Sequence, residues 1–228
     1  GGSDLGAYAT CVLANLEPKM SVATLPWSFT SYQQARQVID TTGGAYYAKL
    51  LEAKGITYLG SFHNGFRQLT NSRQEVRSVE DMKNLKIRVA GSNLLMECYK
   101  RWGADATNMN WSETYTALQQ KTVEGQENPL PAIDAASVQE VQPYCSMWNA
   151  IYDCLFFCIN EDIYNDLTPE QQAVVDECGQ KAVEYERYIN RSSDDEIKTR
   201  WADKNGVTFT EKEDMDIDSF KEAVDGVD

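Results

Sequence analysis

Two arginines and one asparagine are the side chains in this sequence that could together hold an organic anion. Arg67 lies in NGFRQLTNSR, Arg88 in LKIRVA, and Asn128 in GQENPL, where a predicted strand ends at a proline. A carboxylate has about four acceptor positions, and burying it costs several kcal/mol unless donors replace water. A planar guanidinium matches a carboxylate through two parallel hydrogen bonds, which lysine cannot form. The sequence therefore predicts an anion site where these groups meet.

Ordinary ion pairing is the alternative for both arginines, with Glu75 and Asp81 as nearby acidic partners.

A pair of catalytic carboxylates is a further alternative, because Glu124 and Glu127 are only three residues apart. Residues three apart on a strand point to opposite faces of the sheet. This spacing therefore argues against a hydrolytic pair.

The charge of the chain excludes one class of partner. Its 228 residues include 21 basic and 35 acidic side chains, which gives a net charge of −14. Such a field repels a nucleic-acid backbone, so nucleic acid is not an expected partner. The sequence has no apolar run near the ~18 residues that a membrane span needs, and GGSDLGAYAT has neither the basic nor the apolar part of a signal peptide. One or two soluble α/β domains are expected.

The cysteines and the single histidine do not indicate a metal or catalytic centre. The six cysteines are Cys11, Cys98, Cys145, Cys154, Cys158 and Cys178. They contain no C-x-x-C pair, and on the predicted strand CLFFCIN two of them would lie about 13 Å apart, too far for a disulfide. Most are predicted to be small buried apolar groups. His63 has no motif around it and is interpreted as structural or as part of the site rim, so we expect no cofactor and no metal.

Strands and helices alternate along the first half of the chain. SVATLP (21–26) and ITYLGSF (56–62) are predicted strands, separated by two short helices that are interrupted at Gly43-Gly44. In LKIRVA, alternation places Arg88 on the face opposite the aliphatic side chains. A helix is expected from Ser92 to Gly103, and another with Ser112 as its N-cap. Trp111 would then lie in a strand-to-helix loop, either as core or as a platform at the mouth of a site.

A long helix begins at LTPEQQ, where Thr168 is the predicted N-cap and Gln171 completes a capping box. Helix-forming residues continue for roughly 35 residues, against ~11 to 12 for an average helix. We expect a kink near NRSSDD, because Asn and Ser are poor helix formers. A helix of this length in an α/β protein is typical of one that crosses between two lobes.

Four stretches together carry a resemblance to a known family: NGFRQLTNSR, SVEDMKNLKIRV, WSETYTALQQKTVEGQENPL and EVQPYCSMWN. They are similar to the solute-binding proteins of tripartite ATP-independent periplasmic (TRAP) transporters, which include sialic-acid and C4-dicarboxylate binders. The resemblance runs from Asp4 to about Gly206. Relative to the family, about 60 N-terminal residues and the last helix would be missing from this sequence.

This resemblance implies an α/β, two-lobed periplasmic-binding-protein (Venus-flytrap) fold with a long kinked interlobe helix. Lobe one would comprise residues 4–64 and 153–190, and lobe two residues 65–152 and 191–228. The implied function is extracytoplasmic capture of a small organic acid and its delivery to TRAP membrane subunits. The implied protein is a monomer that is periplasmic or extracytoplasmic, with a lipid anchor as an open alternative.

The resemblance also assigns site residues. Arg88 would make the main bidentate pair with the ligand carboxylate, Arg67 a second contact, and Asn128 a donated hydrogen bond, with Trp111 and Ser92 beside them. Ala9 and Val12 align with a glutamate and an arginine of the sialic-acid binders, so a more apolar wall is expected here. The expected ligand is therefore a monocarboxylate or other small organic acid with a short aliphatic or aromatic tail, rather than sialic acid.

Two other functions share these features. An α/β enzyme acting on a carboxylic acid could use the same arginines, but its base or nucleophile would have to come from His63, Glu127 or the cysteines. A sensory ligand-binding domain would share the fold and be attached to a membrane segment. We expect a binding protein and not an enzyme.

Overall fold

The computed structural model describes residues 3–190 and 193–227. The strands are β1 (Leu5–Ala9), β2 (Ile56–Asn71), β3 (Lys86–Val89), β4 (Asp105–Asn108), β5 (Gly125–Asn128), β6 (Tyr144–Asn160) and β7 (Thr208–Glu211). The α-helices are α1 (Thr10–Leu13), α2 (Tyr32–Val38), α3 (Gly44–Glu52), α4 (Asn93–Arg101), α5 (Trp111–Gln119), α6 (Leu130–Ala135), α7 (Glu161–Asn165), α8 (Pro169–Asn190), α9 (Ser193–Asn205) and α10 (Ile217–Ala223). Short 3-10 helices span Pro18–Thr24, Val79–Met82, Val138–Val141 and Lys212–Asp214, and a π-helical turn spans Ile39–Gly43.

These strands form one mixed sheet in the order β1-β6-β2-β5-β3-β4, with β7 paired to β6. Its two central strands are long, 16 residues in β2 and 17 in β6. They pair antiparallel from Ile56 opposite Asn160 to Asn71 opposite Tyr144. Each is about three times as long as an ordinary strand of ~5 to 6 residues.

The long ladder is irregular around Arg67. The register between β2 and β6 shifts between Phe62 and Gly65, and again between Arg67 and Leu69. An irregularity of this kind bends a strand and changes the direction of its side chains. Arg67 lies between the two shifts.

Three short strands position the other predicted site residues. β3 pairs parallel with both β4 and β5, so the carboxyl ends of all three lie at one edge. β5 also pairs antiparallel with β2, and this register places Gln68 opposite Asn128. A Cβ added to Gly125 would lie 2.5 Å from the Thr70 carbonyl oxygen and 2.6 Å from Ile87 Cδ1. Only glycine therefore allows β5 to begin between its two neighbours.

Buried hydrophobic side chains form separate clusters against different parts of the sheet. One cluster packs α1, α2 and α3 against the distal part of β6, with Tyr47 and Phe156 at its centre. Another packs β3 and α4 against the opposite part of the sheet, around Trp102 and Trp148. In β3 both Ile87 and Arg88 are buried, as expected for a parallel strand covered on both faces.

Most of the predicted elements are confirmed. The capping box of Ser78 and Asp81 is present, and Ser92 accepts a hydrogen bond from the Leu95 amide as the N-cap of α4. At the start of α8, Thr168 and Gln171 exchange hydrogen bonds of 2.8 and 3.3 Å. The predicted kink at NRSSDD includes residues 191 and 192, which lie outside the described residues.

Two predictions about local structure were wrong. SVATLP is not a strand, because Pro18 begins a 3-10 helix that extends to Thr24 and buries Met20, Ala23 and Thr24 at helical spacing. Ser112 is not an N-cap, because the helix begins one residue earlier, at Trp111, with Asn110 as the cap position. Asparagine is as good an N-cap residue as serine, so the residue types alone did not distinguish the two starts. Among the described helices, none combines the length and apolar character needed to cross a membrane.

Candidate anion-binding site

Arg88 is buried but has no carboxylate partner among the described residues. It lies on β3 with 4% of its surface exposed. Its Nε and Nη2 atoms donate to the Met109 carbonyl oxygen at 2.9 and 2.7 Å. The Nη1 donors and one Nη2 donor therefore have no acceptor within the described part of the chain. These donors form the end-on fork that can bind a carboxylate through two hydrogen bonds.

Trp111 lies against the same guanidinium. The Arg88 Cζ atom is 5.3 Å from the centroid of the Trp111 ring, within the range of a cation–π interaction. Trp111 is the first residue of α5 and is half-buried. The ring and the Met109 carbonyl thus hold the Arg88 side chain in place and leave its end-on donors free.

Arg67 is buried as well, but it is surrounded by acceptors. Its Nη1 donates to Asp153 Oδ2 at 2.9 Å, and its Nη2 donates to Glu127 Oε1 at 3.0 Å. Its Nε forms a further short contact with Glu127 Oε2, and Nη2 also approaches Asn128 Oδ1 at 2.9 Å. Glu127 and Asp153 are fully buried. Arg67 is therefore neutralised by two acids of its own protein.

The acids in this network are not the ones that the ion-pairing alternative named. Glu75 pairs with Arg77 at 2.5 Å, and Asp81 accepts from the backbone of Arg77 and Ser78. That alternative was wrong about the partners, while ion pairing itself does occur at Arg67. Glu124 and Glu127 have separate partners as the strand spacing predicted, since Glu124 lies 3.8 Å from Arg73 and Glu127 binds Arg67.

Asn128 lies beside Arg67 and bonds to one further side chain of β5. Its side-chain oxygen accepts from Arg67, and its Nδ2 donates to Gln126 Oε1 at 3.2 Å. This leaves one Nδ2 hydrogen without a protein acceptor within the described part of the chain. Ser92 is 2% exposed, and its oxygen is occupied by the Leu95 amide. Ala9, at the end of β1, is partly buried and packs against the cluster that contains Val89 and Ala90.

Burial and charge affect the two arginines differently. Burial lowers the pKa of Arg88 to about 10, because desolvation disfavours the cation and only partial compensation comes from Glu127. Burial also acts on Arg67, but there the charges of Glu127 and Asp153 outweigh it, and its pKa lies above the ordinary value. Burial raises the pKa of Asp153, and the positive charge of Arg67 offsets this only in part.

His63 and the cysteines do not form a reactive group. His63 Nδ1 lies 2.9 Å from the Tyr152 hydroxyl, and burial lowers the pKa of His63 to about 4. The histidine thus has the structural environment that was predicted. All six cysteines are free, and five of them are buried. Among the described residues, no cluster of three or more His, Cys, Asp or Glu side chains could hold a metal ion.

The sequence analysis missed Glu127 and Asp153 as structural partners of Arg67. Asp153 is the charged residue within the apolar run of β6, IYDCLFF. A charge in such a run must be paired when it is buried. The sequence therefore indicated that Asp153 needs a partner, but it did not show which cation that partner is.

Comparison with known proteins identifies the family of this chain. Residues 1–227 match the DctP family, described as Bacterial extracellular solute-binding protein, family 7. The chain belongs to this family. The family predicted from the sequence is thus confirmed. The two-lobed α/β fold is confirmed as well, and so is the role of a receptor that captures a substrate for a TRAP transporter. The residue boundaries of the two lobes remain a prediction.

Among its relatives, this family 7 protein is 30% identical over 224 residues to the 2,3-diketo-L-gulonate-binding periplasmic protein YiaO of Escherichia coli K12. The match covers 98% of this chain and 67% of the relative. The chain therefore spans about two thirds of that protein.

Two crystal structures of TRAP periplasmic solute-binding proteins are similar to the family 7 protein along almost its whole length. One, from Polaromonas sp. JS666 with bound D-erythronate, has a TM-score of 0.93 and 32% identity, covering 99% of this chain and 73% of the other. The second, from Sulfitobacter sp. NAS-14.1 with bound β-D-galacturonate, has a TM-score of 0.93 and 29% identity, covering 98% and 74%.

Proposed function

We propose that this protein binds a small organic acid with one carboxylate and several hydroxyl groups, and that Arg88 holds the carboxylate. The observation that carries the proposal is a buried guanidinium, without a carboxylate partner in the described residues, in a protein of net charge −14. Leaving the end-on donors of a buried guanidinium without acceptors is costly. An anionic ligand supplies those acceptors, so the site favours an anion despite the overall negative charge.

The ligands of the two crystallised relatives support this choice of ligand class. D-Erythronate and β-D-galacturonate each have a single carboxylate and several hydroxyl groups. The end-on donors of Arg88 fit such a carboxylate, and the free Nδ2 hydrogen of Asn128 supplies a further bond. Arg67 contributes at most one hydrogen bond, because a single Nη1 hydrogen has no acceptor among the described residues.

Residues around the carboxylate complete the proposed site. Trp111 presents an aromatic face beside Arg88, and the Ser92 hydroxyl hydrogen is available to a ligand oxygen. Ala9 and Val12 lie where the aligned sialic-acid binders have charged residues, and neither can form a charged hydrogen bond. This apolar wall selects against sialic acid.

The remaining parts of the proposal are the absence of turnover, a monomeric state and the cellular location. Glu127 cannot act as a free base, because both of its oxygens accept from Arg67. We propose a monomer that works outside the cytoplasmic membrane with TRAP membrane subunits, either free or held by a lipid anchor. Chemical change of a bound acid during incubation would instead support the enzyme alternative.

A thermal-shift screen of carboxylic acids followed by calorimetry tests the proposal. D-Galacturonate, D-erythronate and L-gulonate should raise the unfolding temperature, and Arg88→Lys should lose about 2 to 5 kcal/mol of affinity because the bidentate pair is lost. Arg101→Lys, on the exposed face of α4, is the matched control and should bind normally. Binding by Arg88→Lys within threefold of wild type would contradict the assignment. A larger shift with sialic acid than with the simpler acids would contradict the apolar wall.

A further inference from the structure

Four buried charged side chains form one group at the proposed site. Arg67 and Arg88 carry the positive charges, and Glu127 and Asp153 the negative ones. Glu127 Oε1 also accepts from the Ala90 amide at 3.2 Å, which connects the β5 acid to the end of the β3 strand. With all four ionised, the group is neutral. A ligand carboxylate would leave it with one excess negative charge in a poorly solvated place.

Asp153 has the one carboxylate oxygen in this group that lacks a hydrogen-bond donor. Its Oδ2 accepts from Arg67 Nη1 and from Asn64 Nδ2, each at 2.9 Å, and from Cys11 Sγ at 3.8 Å. Its Oδ1 is buried and has no partner within the described part of the chain. A buried carboxylate oxygen without a donor costs more in its ionised form than in its protonated form.

Glu127 is a poorer place for a proton than Asp153. Each oxygen of Glu127 already accepts from a donor of Arg67, so protonation would break a charged hydrogen bond. At Asp153 a proton can join Oδ1 and leave all three contacts of Oδ2 in place. The charged or titratable groups that face Asp153 are Cys11 of α1, Arg67 of β2 and Glu127 of β5.

We propose that Asp153 takes up a proton on Oδ1 when a carboxylate binds at Arg88, so that anion binding and protonation of the protein are linked. This inference rests on the proposed function. The proton comes from the solvent and is held by a lone pair of Oδ1, and no covalent bond of ligand or protein breaks. The occupied group is then neutral again, as the empty group was.

The sign of the linkage follows from the charges. The bound carboxylate repels the ionised form of Asp153, so its pKa is higher in the complex than in the free protein, where burial has already raised it. Between those two pKa values the complex holds more protons than the free protein. Affinity then falls as pH rises through that window, by up to about tenfold per pH unit for one full proton.

Calorimetry in buffers of different ionisation enthalpy measures this proton uptake directly. D-Galacturonate is the first probe, followed by D-erythronate and L-gulonate, titrated into wild-type protein in phosphate, HEPES and Tris between pH 5 and pH 8. We expect a net uptake that approaches one proton at its maximum. Asp153→Asn should bind the acid without proton uptake. Asp194→Asn is the matched control, because Asp194 is a partly buried acid that accepts from Tyr32 and lies outside the group of four.

A second variant keeps the test decisive if Asp153→Asn does not fold. Glu127→Gln leaves the empty group with one positive charge, so a bound carboxylate makes it neutral and no proton should be taken up. Uptake that is absent in wild type, or unchanged in either variant, would overturn the inference. If no acid binds to wild type, the proposed function fails and the inference fails with it. Binding without proton uptake would refute the inference alone.

Discussion

Arg67 and Arg88 have contrasting surroundings within the proposed site. Both side chains are buried, at 3% and 4% exposure. Arg67 is held by two acids, whereas Arg88 is held by one carbonyl oxygen and an aromatic face. An arginine that is paired with acids of its own protein stabilises the fold, while one with no bonded carboxylate keeps its donors for the ligand that we propose. Burial alone therefore does not identify the ligand-binding arginine.

The largest expected effect is on stability, at Arg67. Arg67→Met leaves Glu127 and Asp153 buried without their cation, which should cost about 3 to 5 kcal/mol of unfolding free energy. Urea denaturation followed by circular dichroism measures it. Arg73→Met, in an exposed pair with Glu124, is the control and should change stability by at most about 1 kcal/mol. Equal losses in both variants would remove the distinction between the two arginines.

Asn128 should have the next largest effect, on affinity. Asn128→Ala removes a donor to the ligand carboxylate, and we expect a loss of about 1.5 to 3 kcal/mol by calorimetry with D-galacturonate. Asn165→Ala, at an exposed position, is the control. Unchanged affinity would show that the amide of Asn128 serves only the Arg67 network.

Trp111 should have a smaller effect. Trp111→Leu removes the cation–π contact with Arg88, which is worth about 0.5 to 2 kcal/mol, and it should also change the order of preference among acids. Trp111→Phe keeps an aromatic face and should retain most of the affinity. A leucine variant with the same affinities and the same ranking would place Trp111 in the core rather than at the ligand.

The smallest expected effect is a dependence on alkaline pH. The pKa of Arg88 in the free protein is about 10, and anion binding favours its cationic form. Binding therefore needs a proton once the pH exceeds that value, and affinity should fall about fourfold between pH 9 and pH 10.5. Arg67 stays cationic over this range because Glu127 and Asp153 raise its pKa. Constant affinity up to pH 10.5, with the fold intact by circular dichroism, would contradict the desolvated state of Arg88.

The sequence was sufficient to predict much of the fold. The β3 pattern, the Ser78 and Thr168 capping boxes and the long helix from Pro169 follow from local chemistry, which acts over a few residues. The 3-10 helix at Pro18–Thr24 was misread because a short apolar run fits either a strand or a helix, and the burial that decides between them depends on distant residues.

The neutralisation of Arg67 by Glu127 and Asp153 could not be predicted from the sequence. It depends on the register that brings Asn128 of β5 opposite β2, and on the placement of Asp153 of β6 beside Arg67, 86 residues away along the chain. Each arginine is a charged residue within a strand, so the local sequence does not distinguish them. Which one is neutralised is a property of the assembled sheet.

The most direct test of the central claim is the unfolding free energy of Arg88→Met, measured with and without D-galacturonate. Without ligand, the variant should be as stable as wild type or more stable, because it loses a buried guanidinium whose end-on donors have no acceptor among the described residues. With D-galacturonate at about 100 times the wild-type dissociation constant, wild type should gain roughly 2.7 kcal/mol and the variant almost nothing. A free variant that loses several kcal/mol of stability, or one that still gains the full ligand effect, would contradict the assignment of Arg88 as the arginine reserved for the ligand.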